Sequence, residues 1–318
     1  MSTMLVTGGA GFVGSHLCEA LLARGDEVVC VDDLSTGLID NLADALTSSR
    51  FSFIEADITK GLEIEGPVDG IAHLASAASP PEYLARPLET LAVGSYGADA
   101  VLQLAGARGA RVILASTSEI YGDPLVHPQP ESYWGNVNSI GPRSVYDEAK
   151  RFSEALFMAH QRHRGTNVGI VRIFNTYGPR LRPNDGRVVS NFIAQALAGE
   201  PLTVYGSGRQ TRSFCYVDDL VRGLVAMLDS EQVGPINLGN PIEMTVTELA
   251  AKIIELTGSD SPLTHEPLPI DDPTCRRPDI SRAAEQLGWS PAIDVDDGLR
   301  KTIAWQIGLT TEAATAVA

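Results

Sequence analysis

The chain has 318 residues, 44% of them hydrophobic, enough for one large domain or two modest ones around a sizeable core. Its 24 Lys plus Arg stand against 40 Asp plus Glu, a formal net charge of −16. That balance argues against nucleic acid as a partner, because phosphate binding needs a basic footprint. The four cysteines, Cys18, Cys30, Cys215 and Cys275, lack Cys-x-x-Cys or His/Cys ligand spacing. They are read as reduced thiols of a cytoplasmic protein, with no metal site expected. The first residues run straight into a strand, so no signal peptide is expected, and no run of about 18 apolar residues marks a membrane span.

Residues 4–7 form a short apolar run, as a buried parallel strand should. Gly8, Gly11 and Gly14 follow as Gly-x-x-Gly-x-x-Gly around Phe12 and Val13, and residues 15–24 have helical periodicity. Glycines between strand and helix permit a tight turn and let backbone N–H groups approach a pyrophosphate. A second strand, 27–31, ends in Asp32-Asp33. An acid there can hydrogen-bond a ribose 2′-hydroxyl; the alternative for Asp32 is a plain turn residue. No Arg follows to take a 2′-phosphate, so NAD is favoured over NADP.

A third strand, 51–55, leads to Asp57-Ile58, where the acid can meet an adenine amino group. A fourth, 70–74, ends at Leu74 and is followed by small residues, 75–78, that let a cofactor lie close to the backbone. His73 sits in an apolar strand and is read as a packed core histidine. Residues 79–83 carry two prolines and are read as a loop. A long helix over about 87–105 and a strand over 112–116 continue the alternation. The rhythm predicts an α/β fold, a Rossmann-like doubly wound parallel sheet. Residues 1–175 form its NAD-binding domain. Residues 176–308 form a smaller C-terminal α/β substrate-binding domain, with some strands returning to the main sheet. A disordered tail is expected over 309–318.

Tyr146 and Lys150 stand four apart in a predicted helix, on one face. A free tyrosine titrates near about 10, too high for a base at neutral pH. A neighbouring lysine cation favours the phenolate. The pair can then take a proton from an alcohol while a cofactor takes the hydride.

The glycine motif, Thr117-Ser118-Glu119-Ile120-Tyr121-Gly122 and the Tyr146/Lys150 pair occur in that order. Together they resemble the extended short-chain dehydrogenase/reductase family of nucleotide-sugar epimerases, dehydratases and decarboxylases, over about residues 3–305. The longer strings at 73–83, 116–124, 133–142, 172–180 and 184–192 resemble the decarboxylating branch of that family. Segment 31–37 and Ala77 depart from its usual wording. The resemblance implies NAD-dependent conversion of UDP-glucuronate to UDP-xylose through a 4-keto intermediate, with the hydride returned to C4. The alternative is a nucleotide-sugar 4-epimerase. A 4,6-dehydratase is disfavoured, because Ser118 stands where those enzymes carry an acid. A non-catalytic NAD-sensing module would lack Tyr146 or Lys150.

The resemblance also assigns roles. Tyr146 is the base, and Lys150 lowers its pKa and holds the nicotinamide ribose. Thr117 hydrogen-bonds the reacting oxygen. Glu119 handles a proton or positions the sugar; otherwise it is a strand-end residue facing solvent. Ser118 donates to a substrate carboxylate, Asn175 meets the diphosphate, and Tyr205 stacks near uracil. Gln210 and Arg212 approach ribose and diphosphate, and Arg276 holds the sugar carboxylate. Arg187, Arg212 and Arg276 form a candidate anion cradle, with Arg277 a solvated neighbour; the alternative is that each pairs with a surface carboxylate. Asp279 caps a helix over 281–287. A homodimer is implied, with helices 87–105 and 145–162 meeting their copies in a four-helix bundle.

Overall fold

The structure is a computed structural model that describes residues 1–183 and 185–317, with side chains to residue 309. Asn184, part of one motif string, lies outside the described residues. In the first half, β1 (Thr3–Thr7) leads to α1 (Phe12–Arg24), β2 (Glu27–Asp32), α2 (Ala43–Leu46), β3 (Phe51–Glu55) and β4 (Gly70–His73). Then come α3 (Pro80–Ala85), α4 (Pro87–Ala92), α5 (Ala98–Arg108), β5 (Arg111–Thr117), α6 (Ser144–Arg164) and β6 (Val168–Ile173). The second half holds β7 (Thr176–Tyr177), α7 (Val188–Ala198), β8 (Leu202–Tyr205), β9 (Thr211–Ser213), β10 (Cys215–Tyr216) and α8 (Val217–Leu228). It closes with β11 (Ile236–Leu238), β12 (Glu243–Thr245), α9 (Val246–Thr257), β13 (Leu263–Glu266), β14 (Cys275–Arg276), α10 (Ser281–Leu287) and α11 (Val295–Val317).

Seven parallel strands make the main sheet, in the order β11-β6-β5-β4-β1-β2-β3. Successive strand residues face opposite sides. Thus Met4 and Val6 join the core beneath α1 and α8, while Leu5 joins the core beneath α5 and α6. Strand order reverses beside β1, so the C-terminal strand ends open a crevice there, where α/β sheets bind ligands. Over this crevice stands a three-stranded sheet, β12-β9-β14, and the parallel pair β13-β8.

Residues 80–85 are helical, not a loop. Pro80 and Pro81 occupy the first helical positions, where a missing N–H costs nothing. The helix expected over 87–105 runs to 108 but is interrupted by a π turn at Val93–Gly97. There Gly94 packs on α6, and a Cβ at Gly94 would lie 2.7 Å from that of Ala149. The Ser153 hydroxyl donates to the Gly94 carbonyl at 2.7 Å, fixing α6 against this turn. Asp279 accepts from the Ser281 N–H at 2.9 Å, one residue ahead of the formal cap, Ile280. Helix α11 takes in the backbone of the expected tail as far as 317; the side chains from 310 and residue 318 lie outside the described residues. Among the described residues no helix is long and apolar enough to cross a membrane.

A buried polar network joins the sheet to the crevice. The Arg172 guanidinium donates to both Glu154 oxygens, at 3.0 and 2.8 Å, and Ser116 donates to the same carboxylate at 2.6 Å. Arg172 also donates to the Tyr121 hydroxyl at 3.0 Å, and Tyr121 donates to Asn237 of β11 at 2.8 Å.

Candidate active site

One cleft of about 780 Å³ is lined by every residue singled out for the site, from Gly8 to Arg276. Its cofactor end is the β1–α1 turn. Gly8 has φ +75°, in the left-handed region, and a Cβ there would lie 2.6 Å from the Ala75 nitrogen. A Cβ at Gly14 would lie 2.1 Å from the Gly8 carbonyl oxygen. Gly11 caps α1 with no side-chain acceptor, which leaves the first-turn N–H groups for an anion. Phe12, Val13 and Leu74 line the same end.

Asp32 closes β2, and its two oxygens accept from the Ala10 and Leu34 N–H groups at 3.0 and 2.9 Å. Burial raises its pKa against those bonds, and a spare lone pair on each oxygen suits a sugar hydroxyl. Asp57 accepts from the N–H and hydroxyl of Thr59, which lower its pKa, and it stands beside Ile58 in the cleft wall. These residues fit a dinucleotide: a glycine-rich turn, unclaimed helix N–H groups and an acid at the second strand end. His73 lies in the core with Nδ1 2.8 Å from the Thr7 hydroxyl, and burial depresses it to about 3.

The opposite end is built by β5 and α6. Tyr146 and Lys150 are both buried on the inner face of α6. The Lys150 ammonium donates to the Ala115 carbonyl at 2.9 Å and stands 5.9 Å from the Tyr146 ring centre. Burial depresses Lys150 to about 8. The expected lowering of the Tyr146 pKa is not what this geometry gives. Burial pushes the phenol up to about 12, and the main opposing influence is a hydrogen bond from Thr117, not the lysine. The Tyr146 ring stacks on Tyr83, centres 5.1 Å apart and planes within 6°. Thr117 also accepts from the Glu119 N–H at 3.2 Å, which turns the chain into the 3-10 helix Ser118–Tyr121.

Glu119 does not face solvent. Arg276 of β14 donates to its two oxygens at 2.5 and 2.8 Å, and Arg143 donates at 2.9 Å. Burial opposes ionisation, but the two guanidinium charges outweigh it and pull the carboxyl down to about 2. Asp272 faces Arg143 at 3.4 Å and accepts from Arg212 at 2.9 Å. Arg143, Arg212, Glu119, Asp272 and Arg276 thus form one cluster at the cleft wall. Ser118, fully buried, lies beside it.

Farther along, Asn175 lines the cleft, and its carbonyl accepts from the Cys215 N–H at 2.9 Å. Tyr205 closes β8 half-exposed, and Gln210 donates to its carbonyl at 2.7 Å. Arg187 precedes α7 as its N-cap residue and pairs with Asp185, a nearby carboxylate, while still lining the cleft. Arg277 lies outside it, 3.6 Å from Glu243. Sequence reasoning missed Arg143, Asp272 and Tyr83. Arg143 was within reach, since it precedes Tyr146 by one helical turn.

The pattern of the NAD dependent epimerase/dehydratase family matches residues 4–239. UDP-glucuronic acid decarboxylase 1 of Arabidopsis thaliana is 51% identical over 94% of this chain and 68% of its own length. The protein of the same name from Xenopus tropicalis is 52% identical over 94% of this chain and 71% of its own. Among solved structures, UDP-glucuronic acid 4-epimerase of Bacillus cereus, in complex with UDP-glucuronic acid and NAD, is similar with TM-score 0.85. It is 27% identical, covering 96% of this chain and 99% of that one. The chain belongs to the NAD-dependent epimerase/dehydratase family.

Proposed function

We propose that this member of the family is an NAD-dependent enzyme that decarboxylates UDP-glucuronate to UDP-xylose. The observation that carries the reading is the buried Arg276–Glu119–Arg143 cluster, which opens onto the cleft that also holds Tyr146 and Thr117. An anion-binding wall beside a proton-transfer pair is what a sugar acid requires. The 51% identity to relatives named as decarboxylases supports it further.

When bound, NAD supplies a reversible two-electron acceptor at the sugar's C4. Gly8, Gly11, Phe12, Val13, Gly14, Asp32, Asp57, Ile58 and Leu74 would hold it, with Lys150 reaching its ribose. Tyr146 takes the proton of the C4 hydroxyl, helped by the Thr117 hydroxyl. The C4 ketone makes the substrate a β-keto acid. The electrons of the bond to the carboxylate pass into that carbonyl as carbon dioxide leaves, and C5 then gains a proton. Tyr146 gives its proton back to the C4 oxygen as the two electrons return to C4, which restores the hydroxyl of UDP-xylose. Arg276 and Ser118 hold the carboxylate until it leaves, and Glu119 positions the arginines. Arg212, Gln210, Arg187, Asn175 and Tyr205 take the nucleoside diphosphate.

Exposed Leu88, Tyr96 and Phe152 lie on the stretch 87–108 and on α6, and they support a homodimer through a four-helix bundle. The unpaired cysteines suit a cytoplasmic setting. The test is to mix protein, NAD and UDP-glucuronate and follow mass and carbon dioxide. A product lighter by one carbon dioxide is expected. A product of unchanged mass would instead establish the 4-epimerase reading.

A further inference from the structure

Asp147 follows Tyr146 in α6, is only 6% exposed, and buries its Oδ1 without a hydrogen-bond partner. A buried carboxylate oxygen left unbonded is costly, so its presence beside a reaction centre calls for a cause. The charged and titratable groups that act on it come from several elements. Glu119 belongs to the 3-10 turn, Arg276 to β14, and Arg143 and Glu148 flank it along its own chain segment. Tyr83 of α3 and Tyr146 feel its charge in turn. Burial first, then the Glu119 charge, lift the Asp147 carboxyl to about 7, while Arg143 and Arg276 pull the other way.

The charge balance gives this carboxyl a task. Arg212 is matched by Asp272, whereas Arg143 and Arg276 share the single carboxylate of Glu119, so that part of the cluster keeps one uncompensated positive charge while Asp147 is neutral. An arriving sugar carboxylate cancels that charge. With Asp147 ionised the cluster is already balanced, and a further anion would leave a buried negative charge.

We infer that Asp147 is a positioning residue that couples binding of the substrate's carboxylate to uptake of a proton, and that it stays neutral while the sugar acid occupies the arginine cluster. The inference rests on the proposed function, in that it takes the carboxylate to lie against Arg276. Asp147 does not itself line the cleft and acts through Arg143 and Arg276.

Calorimetric titration of the NAD-loaded Tyr146→Phe protein tests it, because that background stops turnover. Binding of UDP-glucuronate at pH 7, measured in two buffers of different ionisation enthalpy, should show uptake of up to about half a proton per site. UDP-glucose should show none. The Kd for UDP-glucuronate should rise up to about tenfold between about pH 6 and about pH 8. Adding Asp147→Asn should abolish the uptake and flatten that rise, leaving tight binding at the alkaline end. A merely structural role would not move the proton count. If the Asn variant does not fold, Asp147→Ser is read in the same way. Uptake that persists without the Asp147 carboxyl, or is missing in its presence while UDP-glucuronate still outbinds UDP-glucose, overturns the inference alone. UDP-glucuronate that binds no better than UDP-glucose, with no carbon dioxide released by the unsubstituted enzyme, overturns the proposed function and this inference with it.

Discussion

The Arg276 guanidinium grips both oxygens of Glu119, at 2.5 and 2.8 Å, across a separation of 157 residues. The fork matters as well as the charge, because a planar guanidinium meets the two oxygens with two parallel N–H groups. Arg276→Lys keeps the charge and loses the fork. It should lower kcat/KM for UDP-glucuronate at least about tenfold and leave NAD affinity unchanged. Steady-state kinetics with a parallel NAD titration check both halves.

Tyr146→Phe removes the phenol oxygen and keeps the ring that stacks on Tyr83. Carbon dioxide release should fall by at least about a hundredfold, with NAD still bound. Turnover at the original rate would refute the base assignment.

Gly14→Ala places a methyl 2.1 Å from the Gly8 carbonyl oxygen, a backbone atom that cannot step aside. The turn must open, so NAD affinity and thermal stability should both fall. A calorimetric titration with NAD and a melting curve report the two effects. An NAD affinity equal to that of the parent would show that this turn does not shape the cofactor site.

His73 gives a pH dependence with a defined sign. Its folded pKa, depressed to about 3 by burial and then by the Lys150 charge, lies below the unfolded value of 6.5. The unfolded chain therefore binds a proton that the folded chain refuses. This contribution is intact above pH 6.5 and is lost as pH falls towards about 3, by at most about 1.4 kcal/mol per pH unit. His73→Asn should flatten the decline of Tm measured between about pH 6.5 and about pH 5.

Glu154→Gln would leave the Arg172 guanidinium, 10% exposed, without its ionic partner. The loss should be about 3 kcal/mol of stability. Denaturant unfolding of the two proteins measures it, and a change within about 0.5 kcal/mol would show the pair to be dispensable.

The parts of the site that were legible in the sequence are the ones made locally. Gly8 to Gly14, Asp32 and the Tyr146/Lys150 pair each lie within one turn, one strand end or one helical face. The Glu119–Arg276 contact joins residues that no periodicity relates: the acidic excess of the chain and the resemblance both mark Arg276 as an anion holder, but neither names its partner. Residues 80–83 were misread because the penalty for proline in a helix interior was applied to a helix start. The Tyr146 shift was misjudged for a different reason. Spacing puts Lys150 near the ring, but its ammonium is turned to a carbonyl of β5, and burial sets the direction of the Tyr146 shift.

Strand β11 comes late in the chain yet completes the sheet that begins at residue 3. Its Asn237 takes the Tyr121 hydroxyl at 2.8 Å and donates to the carbonyls of Gln129 and Asp279, at 2.9 and 3.1 Å. One amide thus pins the turn after β5 to the approach to α10. A chimera joined after residue 175 would replace that amide along with one edge strand of the sheet. A foreign second half must therefore rebuild the same strand register and the same amide contacts, because the two halves share a single backbone lattice.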